Sequence, residues 1–130
     1  MKKSVVRTDK APKASGCYSQ AIKVGGFVFT AGRSGVDPRT GKMVPGSIKA
    51  QVRQTLESIK AILEEAGTSL DHVVKVNVYL RDLADFKAYD EAYGEYFDVD
   101  GPPARTTVPG ADLPGDMLVE IDAVAYVPEG

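Results

Sequence analysis

The sequence predicts an α+β domain in which two helices cover one face of a mixed sheet, in the element order βββαβαββ. Three observations indicate this class: a glycine-linked pair of strands near the N-terminus, a long amphipathic helix near the middle, and two strand-like runs near the C-terminus. A sheet with helices on one side forms two layers around a shared core. The chain of 130 residues is long enough for one such domain, spanning residues 1–130.

Turn residues indicate where the first three predicted strands begin and end. Residues 4–8 form a short first strand. Residues 18–24 and 27–31 flank a Gly-Gly pair, and glycine tolerates the positive φ angles that a tight hairpin turn requires. A further turn is predicted at residues 37–41, where Asp, Pro, Thr and Gly cluster.

Helical periodicity marks a helix of about five turns in the middle of the chain. Ser47 is a candidate N-cap and Gly67 a candidate stop signal. The apolar residues that recur between them are Ile48, Val52, Leu56, Ile59, Ile62, Leu63 and Ala66.

A fourth strand and a second helix follow. The strand alternates polar residues with an apolar face that we expect to be buried, namely Val74, Val76, Val78 and Leu80. Asp85 is a candidate cap for the helix, whose aromatic stripe consists of Phe86, Tyr89, Tyr93, Tyr96 and Phe97. We interpret this stripe as core packing against the sheet.

The last two strands are predicted to form a hairpin from residues 103–108 and 117–124, because two Pro-Gly pairs lie between them. A symmetric hairpin places Arg105 opposite Glu120, and Thr107 opposite Leu118. The pair of charges has two interpretations. It is either a solvated cross-strand ion pair, contributing up to about 1 kcal/mol, or a functional pair at a site.

Composition restricts the possible partners. The net charge is −2, and Lys2-Lys3 is the longest run of basic residues, so nucleic acid is an unlikely partner. The single Cys17 excludes an intramolecular disulfide, and one His with one Cys does not make a metal site. Apolar runs are shorter than the roughly 18 residues of a membrane span, so we expect a cytoplasmic protein. The sheet face away from the helices is expected to be covered by another subunit.

Separate blocks of the sequence, in order and covering nearly the whole chain, resemble the RidA/YjgF family. That family comprises imine deaminases formerly described as endoribonuclease L-PSP or translation inhibitors. The blocks are residues 16–21 (GCYSQA), 28–32 (VFTAG), 51–56 (QVRQTL), 103–108 (PARTTV), 113–114 (LP) and 119–123 (VEIDA).

The resemblance implies a chorismate-mutase-like fold and a homotrimer whose sheets form a central barrel, with ligand clefts between subunits. It also implies hydrolysis of reactive enamines and imines, such as 2-aminoacrylate, 2-iminopropanoate and 2-iminobutanoate, to 2-oxo acids and ammonia. No cofactor is implied.

The resemblance also assigns roles to residues. Arg105 is expected to grip the substrate carboxylate with its planar guanidinium, and Glu120 to act as general base or to position water. The Tyr18 hydroxyl is expected to bond the substrate, although an edge-strand aromatic is the alternative. The Gly32 backbone is expected to approach the ligand. Thr107, a further candidate substrate-binding residue, stands where many relatives carry Cys, and its hydroxyl can still donate a hydrogen bond.

This chain departs from the family pattern beside the expected cleft. Gly32-Arg33-Ser34-Gly35 replaces a common Gly-Gln-Ile-Pro, Ala31 replaces a frequent Ser, and Cys17 replaces a usual Pro. Arg33 is a candidate substrate-binding residue that brings a second positive charge. We hypothesise a larger substrate or one with a second anionic group; the alternative is an exposed loop arginine.

Two rival functions use the same residues differently. A non-catalytic sensor of small carboxylates such as 2-oxo acids would use the Arg105 clamp, but a binder of anions gains nothing from the nearby Glu120. An endoribonuclease usually needs acid/base histidines or metal-binding carboxylates, and the lone His72 lies far in sequence from both residues.

Overall fold

The computed structural model describes residues 1–129, which form a six-stranded mixed sheet, a separate two-stranded hairpin and two α-helices. The predicted α+β class is confirmed. In chain order the elements are β1 (Ser4–Val6), β2 (Ala21–Val24), β3 (Phe27–Thr30), β4 (Val36–Asp37), β5 (Lys42–Met43), α1 (Ile48–Glu65), β6 (Val73–Leu80), α2 (Phe86–Tyr93), β7 (Ala104–Val108) and β8 (Val119–Tyr126).

The main sheet has the strand order β1-β2-β3-β8-β6-β7. Only β6 and β7 pair in parallel, and the other four pairings are antiparallel. The predicted β2–β3 hairpin is confirmed: Val24 pairs with Phe27, and Gly25 and Gly26 take φ angles of 57° and 81°. The small β4–β5 hairpin was not predicted as strands, although its turn was, because two residues are too few for alternation to be visible.

Helix α1 matches its prediction closely. It follows Ser47, whose hydroxyl makes no capping bond, and ends before Gly67. Its buried side includes the predicted apolar residues and the polar Gln51, whose amide donates to the Asp116 carbonyl and accepts from the Leu118 N–H. This helix therefore fixes the start of β8 as well as the core.

The prediction that one face of β6 is buried is correct for three of its four residues and wrong for the first, Val74. Val73, Val76, Val78 and Leu80 are buried, whereas Val74 is 41% exposed. The pairing with β8 shifts between Val73 and Lys75, and such an irregularity reverses the side on which neighbouring side chains project.

The predicted hairpin between the last two strands is also wrong. Strand β6 lies between β7 and β8, so Arg105 pairs with Val76 and Glu120 pairs with Tyr79. The β6–α2–β7 segment is a parallel crossover, which needs an intervening helix.

The connection from β7 to β8 passes beyond the end of β6 instead of turning back beside it. The Ala111 N–H donates to the Leu80 carbonyl at 2.8 Å. The Arg81 guanidinium donates to the carbonyls of Leu113, Gly115 and Met117. The proline and glycine residues between β7 and β8 predict that the chain turns back. They do not show that β6 lies between these two strands.

The core lies between the two helices and one sheet face. The opposite face presents apolar side chains to the outside, namely Val5, Phe27, Phe29, Val108 and Tyr126. The expected subunit covering this open face stays a prediction. Within residues 1–129, no helix combines the length and apolar character needed to cross a bilayer.

Candidate functional site

A cleft of about 780 Å³ gathers four of the predicted site residues: Tyr18, Gly32, Arg33 and Glu120. Gly32 and Arg33 follow the end of β3, with Ala31 between. Reciprocal backbone hydrogen bonds between Arg33 and Ile121, at 2.8 and 2.9 Å, fasten this segment to β8. The cleft is therefore built where one strand ends against the middle of another.

Gly32 leaves room for the Glu120 side chain in the position that it takes at the cleft. A Cβ on residue 32 would lie 2.6 Å from Glu120 Oε2 and 2.8 Å from its carboxyl carbon, closer than any real contact. The prediction that a backbone without Cβ lies at the site thus has a physical reason here. The glycine leaves room for the Glu120 carboxylate.

The Glu120 carboxyl has a raised pKa. Burial is the main cause, the neighbouring charge of Asp122 adds to it, and Arg33 opposes it. A carboxylate that holds a proton more strongly than usual is a better base at neutral pH than an ordinary glutamate.

Tyr18 lines the cleft, and Ser15 holds its hydroxyl in position. The Ser15 N–H donates to the Tyr18 oxygen at 3.2 Å, and the Ser15 hydroxyl lies 3.5 Å from it. Hydrogen bonds from Ser15, then the charge of Arg33, lower the pKa of the Tyr18 phenol. The Arg33 Cζ atom lies 5.9 Å from the centroid of the Tyr18 ring.

Arg33 is buried, contrary to the alternative that it is an exposed loop arginine. Only 7% of the residue is exposed. Its Nε and Nη1 atoms find no hydrogen-bond acceptor among residues 1–129. These two nitrogens are therefore buried donors that the described part of the chain leaves unused.

Arg105 lies away from this cleft, on an aromatic seat formed by Phe86, Tyr89 and Tyr93 of α2. Its Cζ atom is 4.7 Å from the Tyr93 ring centroid, 5.1 Å from Tyr89 and 5.8 Å from Phe86. Such distances are typical of cation–π contacts. Its Nη1 donates to Asp90 Oδ1 at 2.8 Å, and 24% of its side chain is exposed.

Sequence reasoning missed the second role of the aromatic stripe. Tyr89 and Tyr93 are buried in the core, as expected, but their rings also orient Arg105. The sequence does show aromatic residues repeated at helical spacing shortly before the strand that carries Arg105. This pattern does not identify a contact with Arg105, because the same repeat occurs in helices that only pack against a core.

Thr107 is placed with Arg105. Its hydroxyl lies 2.6 Å from the Tyr89 hydroxyl, so part of its hydrogen-bonding capacity is used to join β7 to α2.

The strand register shows that the two groups of residues project from opposite faces of the sheet. Laterally paired residues project to the same side. Arg105 pairs with the buried Val76, under the helices, whereas Glu120 pairs with Tyr79, which pairs in turn with the exposed Val108. Within one chain, Arg105 and Glu120 therefore do not share a cleft.

Comparison with known proteins gives consistent matches along the chain. Residues 8–127 match the model of the family described as Endoribonuclease L-PSP. A RutC family protein of Pyrococcus abyssi is 56% identical over 126 residues, covering 97% of this chain and 98% of the relative. A RutC family protein of Pyrococcus horikoshii is 55% identical, covering 95% and 98%.

Two solved structures extend the match to three dimensions. RidA from the Antarctic bacterium Psychrobacter sp. is 46% identical with a TM-score of 0.89, covering 95% of this chain and 99% of that one. TdcF of E. coli, solved with bound serine, is 37% identical with a TM-score of 0.86, covering 95% and 98%.

Proposed function

The chain belongs to the RidA/YjgF family, also described as Endoribonuclease L-PSP, and on that basis we propose that it hydrolyses reactive 2-imino acids to 2-oxo acids and ammonia. Suitable substrates are 2-iminopropanoate, the tautomer of 2-aminoacrylate, and 2-iminobutanoate. The observation that carries the proposal is Glu120, a carboxyl with a raised pKa that faces a cleft beside Gly32 and Tyr18.

The proposed chemistry requires one water molecule and little else. Glu120 accepts a proton from water as the oxygen adds to the carbon of the protonated imine. In the resulting carbinolamine the nitrogen takes up the proton from Glu120 and leaves as ammonia. The hydroxyl proton passes to the freed Glu120 carboxylate and on to ammonia, and the carbonyl of the 2-oxo acid forms. Because a protonated imine is already electrophilic, orientation and proton transfer are enough for the protein to supply.

Substrate binding is assigned to Arg105. Its guanidinium lies over the aromatic seat, and its Nη1 donates to Asp90. The remaining donors suit a substrate carboxylate, for which a planar fork gives both affinity and orientation. A related protein, TdcF, has been solved with serine, a small molecule that carries such a carboxylate.

A complete site then needs two copies of the chain. Arg105 and Glu120 project from opposite sheet faces, and an apolar open face is available for assembly. We infer that the clefts form between subunits of a homotrimer whose open faces meet in a central barrel, with Arg105 supplied by one subunit and Glu120 by its neighbour.

The rival functions fit these residues less well. A carboxylate sensor has no use for a partly buried carboxylate in its binding cleft. An endoribonuclease that relies on histidine would need one at the site, but the one histidine of the chain lies away from the cleft. His72 Nδ1 lies within 3.3 Å of the Thr68 and Ser69 hydroxyls, and the His72 ring packs on Tyr126.

The proposal is tested by following ammonia and 2-oxo acid release from freshly generated 2-iminopropanoate and 2-iminobutanoate. We expect the wild type to accelerate release and Arg105→Ala to abolish the acceleration. Arg53→Ala is the matched control, because Arg53 forms a surface ion pair with Glu95 on the outside of the helices. No acceleration by the folded wild type would overturn the proposal.

A further inference from the structure

We propose that Arg33 binds a second carboxylate, so that the preferred substrates are imines of acidic amino acids, of the 2-iminosuccinate or 2-iminoglutarate type. The inference rests on the proposed function for its chemistry and adds the substrate class. It is carried by a guanidinium that is buried and lines the cleft, and of which two nitrogens, Nε and Nη1, have no acceptor among residues 1–129.

Burial without partners is the first observation. Arginine is rarely buried unless it is paired, yet Arg33 is only 7% exposed. It takes part in none of the ion pairs formed within residues 1–129, and its Nε and Nη1 atoms have no acceptor there. Unsatisfied buried donors are costly and call for an explanation. A ligand that supplies acceptors is such an explanation.

The position of Arg33 indicates the chemical nature of the group that it binds. Arg33 lines the same cleft as Glu120, Gly32 and Tyr18, so its charge faces the reaction site and not a separate surface. Asp9 and Lys13 also line this cleft, but none of the ion pairs formed within residues 1–129 joins Asp9 to Arg33, and Glu120 must remain free to act as base. The missing partner of Arg33 is therefore an anionic group on the substrate.

A substrate with one carboxylate does not satisfy this arrangement. Arg105 of the neighbouring subunit takes the carboxylate next to the imine, which leaves Arg33 facing the side chain. An acidic side chain supplies the carboxylate that Arg33 lacks, through charge-assisted hydrogen bonds. Hydrolysis itself is unchanged: imine and water give a 2-oxo diacid and ammonia.

The deciding experiment compares kcat/KM for the imines of aspartate and of 2-aminobutanoate, each generated in place and followed by release of the 2-oxo acid. We expect the wild type to prefer the diacid. Arg33→Gln should lower the ratio of diacid to monoacid kcat/KM by roughly tenfold or more, as expected for a lost charge-assisted contact. The loss should appear mainly in KM for the diacid, and Arg33→Lys should restore part of it.

Arg39→Gln is the matched control. Arg39 is on the same segment of the chain, but its side chain is 86% exposed and pairs with Asp37. We expect it to keep the wild-type ratio. Equal losses on both substrates in Arg33→Gln, or no preference in the wild type, would overturn the inference while leaving imine hydrolysis in place.

A binding measurement separates failure of this inference from failure of the proposed function. Calorimetry with 2-oxoglutarate and 2-oxobutanoate needs no turnover. If the wild type hydrolyses no imine, a tenfold or greater loss of 2-oxoglutarate affinity in Arg33→Gln still supports the diacid site, and equal affinities for both acids overturn it.

A neighbouring subunit is the competing partner for Arg33. If a carboxylate of another copy pairs with it, Arg33→Met will lower the melting temperature and weaken assembly, because the other charge is left buried. If the substrate is the partner, removal of an unpaired buried charge will not lower the melting temperature of the ligand-free protein. A destabilised, dissociating Arg33→Met variant would therefore contradict the inference.

Discussion

Glu120 meets two opposed requirements, since the burial that makes it a good base also makes its charge costly. Its pKa is raised by burial and by Asp122. The native chain therefore holds this proton more tightly than the unfolded chain, and native stability declines as the pH rises through the interval between the two pKa values. The proposed activity has the opposite dependence: it is present above the raised pKa and is lost as the pH falls through it.

Substitution of Glu120 separates these effects. We expect Glu120→Gln to lower kcat by roughly 10²- to 10⁴-fold, the range of general base catalysis, and to raise the melting temperature at neutral pH. Asp122→Asn removes a like charge, so the acid limb of the pH–rate profile should move to lower pH. An active Glu120→Gln variant, or an acid limb that does not respond to Asp122→Asn, would exclude Glu120 as the base.

At the scale of elements, the contact of β7 with α2 decides where Arg105 lies. The aromatic seat lies beneath the guanidinium, and the hydroxyls of Tyr89 and Thr107 join the two elements at 2.6 Å. The same contact therefore contributes to stability and to orientation of the proposed substrate anchor.

A double-mutant cycle measures this contact. We expect Tyr89→Phe and Thr107→Val each to lower the free energy of unfolding by about 1–2 kcal/mol, because each leaves a buried hydroxyl unpaired or removes its partner. The double variant should lose about 1 kcal/mol less than the sum. Tyr96→Phe is the control, since the Tyr96 hydroxyl lies 3.4 Å from the Arg53 carbonyl of α1 and takes no part in the contact between Tyr89 and Thr107. Strict additivity in urea denaturation at fixed protein concentration would disprove the coupling.

At the scale of the whole molecule, the opposite projection of Arg105 and Glu120 makes assembly a condition of the proposed activity. A chain that carries both residues but cannot bring them together is active only where two copies meet. The open face, with Phe27, Phe29 and Tyr126 on it, is the surface available for that meeting.

Subunit mixing tests this arrangement directly. Arg105→Ala and Glu120→Gln are each expected to be inactive alone. After unfolding and refolding as an equal mixture, a cleft is intact when one copy supplies Arg105 and its neighbour supplies Glu120. Random assembly makes about one quarter of the clefts intact, so about one quarter of the wild-type activity should return. A mixture that stays inactive, although assemblies containing both variants are detected by mass, would place both residues in one subunit.

Local patterns determined much of this protein from the sequence alone. Alternation and the Gly25-Gly26 turn gave the β2–β3 hairpin, and helical periodicity gave α1. Both signals arise between residues close in the chain, so no knowledge of distant neighbours is needed. The resemblance supplied the family and the candidate residues, because it depends on residue types in order.

The tertiary structure decided which strands are neighbours and which residues meet. Turn signals between β7 and β8 were real, but the insertion of β6 depends on the crossover through α2 and on Arg81 holding the loop. Burial of Arg33 and the seat beneath Arg105 are likewise contacts between residues far apart in the chain or on different elements. Such contacts follow from the packing of layers, which periodicity in one segment does not encode.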